Sequence, residues 1–197
     1  MMIQTRLALK SDLNAVVDIH LERFSKFFLT SLGKFFLIQF YKGFLLKPGI
    51  LVVIEDKGEI VGFAAGSYSN KGFFTKLLLN NFVGFLKAGF FLVLSKPVSL
   101  LRIASNANKA SSEVLEFSEL LSICTIPNKK GYGKTLLNDF EKTVFSKSKL
   151  PISLTTDFDN NEKTVDFYKD CGYSVYKIFE SYKNRKMYRF IKNNYKK

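Results

Sequence analysis

The sequence predicts an α/β domain of the α+β kind, in which strands and helices alternate along one chain. Three observations predict it: strand-like and helical apolar patterns that succeed one another, a hairpin signal at Asp56-Lys57-Gly58, and an apolar strand at 121–125 that enters a glycine-punctuated turn and then an amphipathic helix. With 197 residues, 47% of them hydrophobic, the chain is long enough to bury roughly 70% of its unfolded surface, so one domain over 1–197 is the economical expectation. Phenylalanine supplies much of the bulk: there are 21 Phe and no Trp.

In order, residues 3–9 read as a strand, and Ser11-Asp12 offers an N-cap for a helix with Leu13, Val16, Val17 and Leu21 at helical spacing. Thr30-Ser31 is expected to cap a second helix, with Leu32, Phe35, Phe36, Phe40 and Phe44 on its buried side, until Pro48-Gly49 stops it. Residues 50–55 and 59–67 form an antiparallel hairpin. Between 70 and 110 the pattern turns basic, Phe- and Leu-rich and helical, broken by Gly84, Gly89 and Pro97, and reads as an insertion. Asn80, Asn81 and Lys87 interrupt its most apolar part, which falls short of the ~20 apolar residues of a membrane span. Helices packed on the core over the substrate side are the plainer expectation for it; an interfacial helix against an anionic membrane is the sharper one. A strand at 118–125, a helix at 133–145, a strand at 151–156, a helix at 161–171 and strands at 172–178 and 186–191 complete the order, and the tail from Lys192 is Lys-rich.

Lys and Arg number 30 against 17 Asp and Glu, a formal charge of +13 that favours anionic partners without naming one. The basic residues are scattered and no run of five like charges occurs, which argues against sequence-specific nucleic-acid binding. Cys124 and Cys171 lie far apart and suggest no disulfide framework, so a cytoplasmic location is expected. The N-terminus lacks a sustained apolar stretch and carries Asp12 and Asp18, unlike a signal peptide, and one His with two Cys does not make a dedicated zinc site.

The segment Lys129-Lys130-Gly131-Tyr132-Gly133-Lys134-Thr135 carries the most chemistry. Gly131 and Gly133 can take backbone angles closed to other residues, the first N–H groups of the helix point at a bound anion, and three lysines surround the spot. That is a grip for a pyrophosphate.

The order of elements, with Gly131-Tyr132-Gly133 in the central turn, resembles the GCN5-related N-acetyltransferase (GNAT) family over nearly the whole chain. The family's motif is Arg or Gln, two residues, Gly, any residue, then Gly or Ala; here Asn128 stands at its first position, and Pro127 lies about two residues nearer the glycines than is usual. A second match is Asn161, the helix through Phe167-Tyr168, and Cys171-Gly172-Tyr173. The resemblance implies a mixed, mostly antiparallel, twisted sheet opened at its middle, with acetyl-CoA as co-substrate. It assigns Lys130, Gly131, Tyr132, Gly133, Lys134 and Thr135 to the pyrophosphate, and Ile123, Cys124 and Thr125 to the pantetheine arm and thioester. Asn161 is expected to cap its helix, and the resemblance implies that it touches coenzyme A and that Tyr168, seven residues on and about two turns down the same face, protonates the leaving thiolate.

A base or water relay is needed so that the acceptor amine attacks neutral. Glu119, alternating with Leu121 and Ile123, is the first candidate; Thr156 and Asp157 are others, and Glu113 and Glu116 would serve as well to line the acceptor pocket. Cys124 has no His or Asp in its sequence neighbourhood and sits in an apolar strand, where a thiol is a poor nucleophile. His20 reads first as a packed histidine and second as a substrate-side residue, while Phe24, Phe27 and Phe28 occupy the region that shapes the acceptor site in the family. The expected reaction is direct acetyl transfer to a primary amine of a small molecule in a ternary complex, with central-strand N–H groups steadying the oxyanion. A non-catalytic acyl-CoA-binding module and a protein N-terminal or lysine acetyltransferase are the alternatives. Further partner expectations are a peripheral membrane contact through the 70–110 segment and a homodimer.

Overall fold

A computed structural model describes residues 3–80, 84, 115–181 and 185–194. Of the segment expected to be an insertion, residues 73–80 form a helix, and nearly all of the remainder, with the membrane-facing expectation attached to it, lies outside the described residues. No helix among the described residues is long and apolar enough to cross a membrane.

Seven strands form one sheet: β1 (Gln4–Leu7), β2 (Gly49–Asp56), β3 (Glu59–Ser67), β4 (Ser118–Thr125), β5 (Ile152–Asp157), β6 (Ser174–Glu180) and β7 (Lys186–Lys192), in the order β1-β2-β3-β4-β5-β7-β6. Every neighbouring pair is antiparallel except β4 and β5. The β2–β3 hairpin closes through Lys57 and Gly58, both at positive φ, so its twist matches the strands it joins.

Helices α1 (Leu13–Arg23), α2 (Gly33–Gly43) and α3 (Phe73–Asn80) cover one face, and α4 (Tyr132–Phe145) and α5 (Glu162–Asp170) the other. The alternation of β2 serves both faces. Ile50, Val52 and Ile54 join Leu136, Phe140 and Val144 of α4, while Leu51 and Val53 join Val16, Val17, Leu37 and Tyr41. Burial on both faces explains why β2 reads as an unbroken apolar run.

Helix ends depart from the sequence expectation. Thr30 and Ser31 lie in a short 3-10 turn, where their hydroxyls donate back to the carbonyls of Phe24 and Phe28, and α2 starts at Gly33 behind Leu32. Phe35, expected inside, is 50% exposed, and Leu37 and Tyr41 take the buried face with Phe40 and Phe44. The Asp12 carboxylate receives the Leu9 N–H and Arg6 instead of capping α1 with its side chain.

The decisive irregularity lies at the middle of the sheet. Ala65 faces Ser122 but Gly66 faces Leu120, so Leu121 is an extra residue that bulges β4. The alternation expected through Glu119, Leu121 and Ile123 is thereby broken: Leu121 packs with the α1–α2 cluster and Ile123 with the α4–α5 cluster. On its other edge β4 pairs with β5 only from Ser118 to Leu120, against Ile152 to Leu154, and beyond those three pairs the strands part.

Candidate active site

The parting of β4 and β5 opens a cleft of about 460 Å³. Leu121, Ser122 and Ile123 line it from β4, Thr155, Thr156 and Asp157 from β5, and Asn161, Thr164 and Tyr168 from the start and inner face of α5. His20, Phe24, Phe27, Phe28 and Leu29 close the α1 side, and Ser181, Arg185 and Met187 the β6–β7 side. The β5-facing edge of β4 beyond Leu120 has no strand partner, so its backbone polar groups are available to a ligand lying in the gap.

Asn161 occupies the N-cap position of α5 without a side-chain capping bond, contrary to expectation. Its amide reaches back to β5 and donates to Thr156 Oγ1 at 2.7 Å and to the Asp157 carbonyl at 2.8 Å. A carbonyl only accepts, so the Asp157 contact fixes Nδ2 as the donor and leaves Oδ1 for a ligand. Tyr168 lies farther along the same helix face, its ring packed on Tyr173 and Phe190 at 5.7 and 6.0 Å. Burial pushes its phenol well above the ordinary tyrosine range, so it stays protonated at working pH and can serve as a proton donor.

At the end of β4 the chain turns through Pro127 and Asn128, the latter at φ +63°, to Gly131, the N-cap of α4 at φ +82°. Gly131 is left-handed as its sequence position implies; Gly133 is not, being an ordinary second residue of the helix with 3.9 Å to the nearest neighbour of a built Cβ. Gly133 therefore contributes room rather than a special backbone angle. With no side chain on the N-cap, the N–H groups of Gly133 and Lys134 carry no acceptor among the described residues, which suits an anion. Lys130, Lys134 and Thr135 are exposed around them. Lys129 is committed elsewhere: its Nζ lies 2.6 Å from Asp56 Oδ2, which also accepts from the Tyr132 hydroxyl at 3.0 Å. The Lys129 and Tyr132 bonds hold the Asp56 carboxyl below its usual range and tie the turn to the β2–β3 hairpin.

No protein-family model and no curated protein sequence matches the chain, so likeness is carried by three-dimensional form. Solved structures superpose over almost its full length. An acetyltransferase of the GNAT family from Bacillus cereus matches with a TM-score of 0.60 at 16% identity, covering 98% of this chain and 99% of its own. A ribosomal-protein-alanine N-acetyltransferase from Brucella melitensis gives 0.63 at 14%, covering 97% and 99%. The yncA protein from Salmonella typhimurium, solved with acetyl-CoA, gives 0.64 at 13%, covering 98% and 94%. The chain has the GNAT fold.

Within this GNAT fold most of the expected site residues gather at two places. Ile123, Asn161, Tyr168, Phe24, Phe27 and Phe28 meet at the cleft, and Lys130, Gly131, Gly133, Lys134 and Thr135 gather at the start of α4, with Tyr132 turned to Asp56. Thr125 ends β4 between the two. Cys124 packs towards α1 and α2, and burial pushes its thiol up to about 12, a protonated and unreactive state. Glu119 does not line the cleft; it sits 3.7 Å from Arg189 Nη1, beside Ser153. Of the other candidate bases, Thr156 receives Asn161, and Asp157 is bound through both oxygens to Arg185, whose guanidinium lies over the Phe27 ring. Arg185, Met187, Ser181 and Ser122 escaped sequence reasoning. Arg185 meets Asp157 across 28 residues, and Ser122 is turned by a bulge, so neither leaves a local signal.

Proposed function

We propose that the chain is an acetyl-CoA-dependent N-acetyltransferase acting on a primary amine of a small molecule by direct transfer in a ternary complex. The observation that carries this reading is the parted β4–β5 edge, with Asn161 and Tyr168 on one wall and the open N-terminus of α4 beyond it. These residues fit the co-substrate: Gly133 and Lys134 N–H groups, with Lys130, would hold the pyrophosphate, and the free edge of β4 with Asn161 Oδ1 would hold the pantetheine amides. Tyr168 supplies the proton for the departing sulfur, and alignment of the two substrates supplies much of the acceleration. Asp157 and Arg185 neutralise one another at the cleft, and Phe24, Phe27 and Phe28 line its entrance. That lining suits an amine attached to an apolar or aromatic body better than a polycation.

Thermal unfolding with and without acetyl-CoA tests the first half, and thiol release from acetyl-CoA over a panel of aromatic amines, amino acids, amino sugars, polyamines and an alanyl peptide tests the second. Stabilisation with amine-dependent thiol release is the expected result. Stabilisation without release by any amine would favour an acyl-CoA-binding module, and no stabilisation by any acyl-CoA would sink both readings.

A further inference from the structure

The α1 wall of the cleft contains a buried polar chain that the acetyl-transfer reading leaves unused. His20 lines the cleft and is 2% exposed, with Nδ1 2.7 Å from the hydroxyl of Tyr41, itself fully buried on α2. Ser122, beside the β4 bulge, lines the same cleft. Nε2 of His20 is buried with no hydrogen-bond partner. A polar atom left unpaired in an apolar wall costs stability, and the ring is packed 4.9 Å from Phe24 where a leucine would fill the space without that cost.

We propose that His20 is the acceptor-side catalytic residue: its Nε2 receives a hydrogen bond from the substrate amine, orients the nitrogen lone pair at the thioester, and takes the amine proton as the bond to carbon forms. The inference rests on the acetyl-transfer reading. The role uses the tautomer in which Nδ1–H donates to the Tyr41 oxygen, a bond the phenol can accept, and Nε2 then presents its lone pair. Burial pulls the imidazole down to about 4, so it is neutral and ready to accept at physiological pH. A weak base suffices, because an amine nitrogen becomes far more acidic once it is bonded to the carbonyl carbon. The ionisable groups around it do not compete. Burial holds Tyr41, Cys124 and Tyr168 protonated, and Asp157 and Arg185 are paired to each other. The balance is complete: C–N forms and C–S breaks, the amine proton goes to His20 and then to solvent, and the sulfur takes its proton from Tyr168, which is reprotonated from solvent.

The chain has one histidine, so a 15N imidazole spectrum reports His20 alone. Coenzyme A is added first, then the panel amine with the highest turnover; the Nε2 resonance should move on adding the amine while the Nδ1 resonance holds. Two variants separate catalysis from packing. His20→Asn retains an amide nitrogen near the Nδ1 position to meet Tyr41 but lacks Nε2, whereas His20→Gln carries its amide to the Nε2 position. Both should keep the acetyl-CoA-induced thermal shift; Asn should lose about 100-fold in kcat/KM for the amine, and Gln should recover about 10-fold of that loss. An Nε2 resonance indifferent to amine, or His20→Asn as active as wild type, overturns the role of His20 and leaves acetyl transfer standing. Failure of acetyl-CoA to stabilise wild type overturns the underlying reading and the role with it.

Discussion

Tyr168 and His20 face one cleft from opposite walls, and burial acts on both in a useful direction. It keeps the phenol protonated and the imidazole neutral, a donor and an acceptor in the same cavity. Tyr168→Phe preserves the ring packing on Tyr173 and Phe190 and removes only the hydroxyl. It should lower kcat by about 100-fold or more while the acetyl-CoA-induced thermal shift is kept, as steady-state kinetics beside thermal unfolding would show. The imidazole has a second, thermodynamic consequence. Its folded value of about 4 lies below the ordinary 6.5 of the unfolded chain, so the unfolded state binds the proton first as the pH falls. The contribution is full above 6.5, is lost through the window down to about 4, and amounts to roughly 3 kcal/mol. Urea unfolding of wild type and His20→Asn at pH 7 and pH 4.5 should give a smaller acid loss in the variant; equal losses would show that the ring is not held neutral.

At the scale of elements, the β4 bulge sets the site, and its partner on β3 is Gly66. A Cβ there would meet the Glu119 carbonyl oxygen at 2.1 Å and the Phe140 ring at 2.6 Å, so the two strands approach too closely for any side chain. Gly66→Ala should cost about 2 kcal/mol or more, a fall of roughly 4–8 °C in Tm by calorimetry, because backbone and a buried ring must both move. The sequence made β2, β3 and the strand-turn-helix of β4 and α4 legible, since each rests on neighbours in the chain. It did not make the bulge legible, because a bulge is a mismatch between two strands more than 50 residues apart by numbering, Ala65 against Ser122. Asn161 shows the same limit. Its place before α5 was readable, but its amide turns back to Thr156 and Asp157, a contact that exists only once β5 and α5 are assembled.

For the molecule as a whole, the half of the candidate site that is local in sequence could be read, while of the acceptor half only the α1-side residues Phe24, Phe27 and Phe28 could. Gly131, Asn161 and Tyr168 sit in short motifs, whereas the wall facing them draws on α1, the bulge and the start of β7. The lysines show how three-dimensional pairing refines a count of charges. A formal charge of +13 implies a general pull on a polyanionic co-substrate, and the three lysines of the turn look equivalent in sequence. They are not equivalent in space: Asp56 already neutralises Lys129, while Lys130 and Lys134 stand exposed at the start of α4. Replacing Lys130 or Lys134 by Gln should weaken acetyl-CoA by about 3- to 5-fold at low salt, about 1 kcal/mol or less each, as expected for exposed charges. The same two variants should flatten the dependence of Kd on salt between roughly 0.05 and 0.5 M, where the screening length falls well below the span of the turn. Lys129→Gln should change Kd less than either, because the charge it removes is already matched. Titration calorimetry at the two salt concentrations reads all three variants, and a Lys129→Gln effect as large as the others would mean that Lys129 leaves Asp56 for the pyrophosphate.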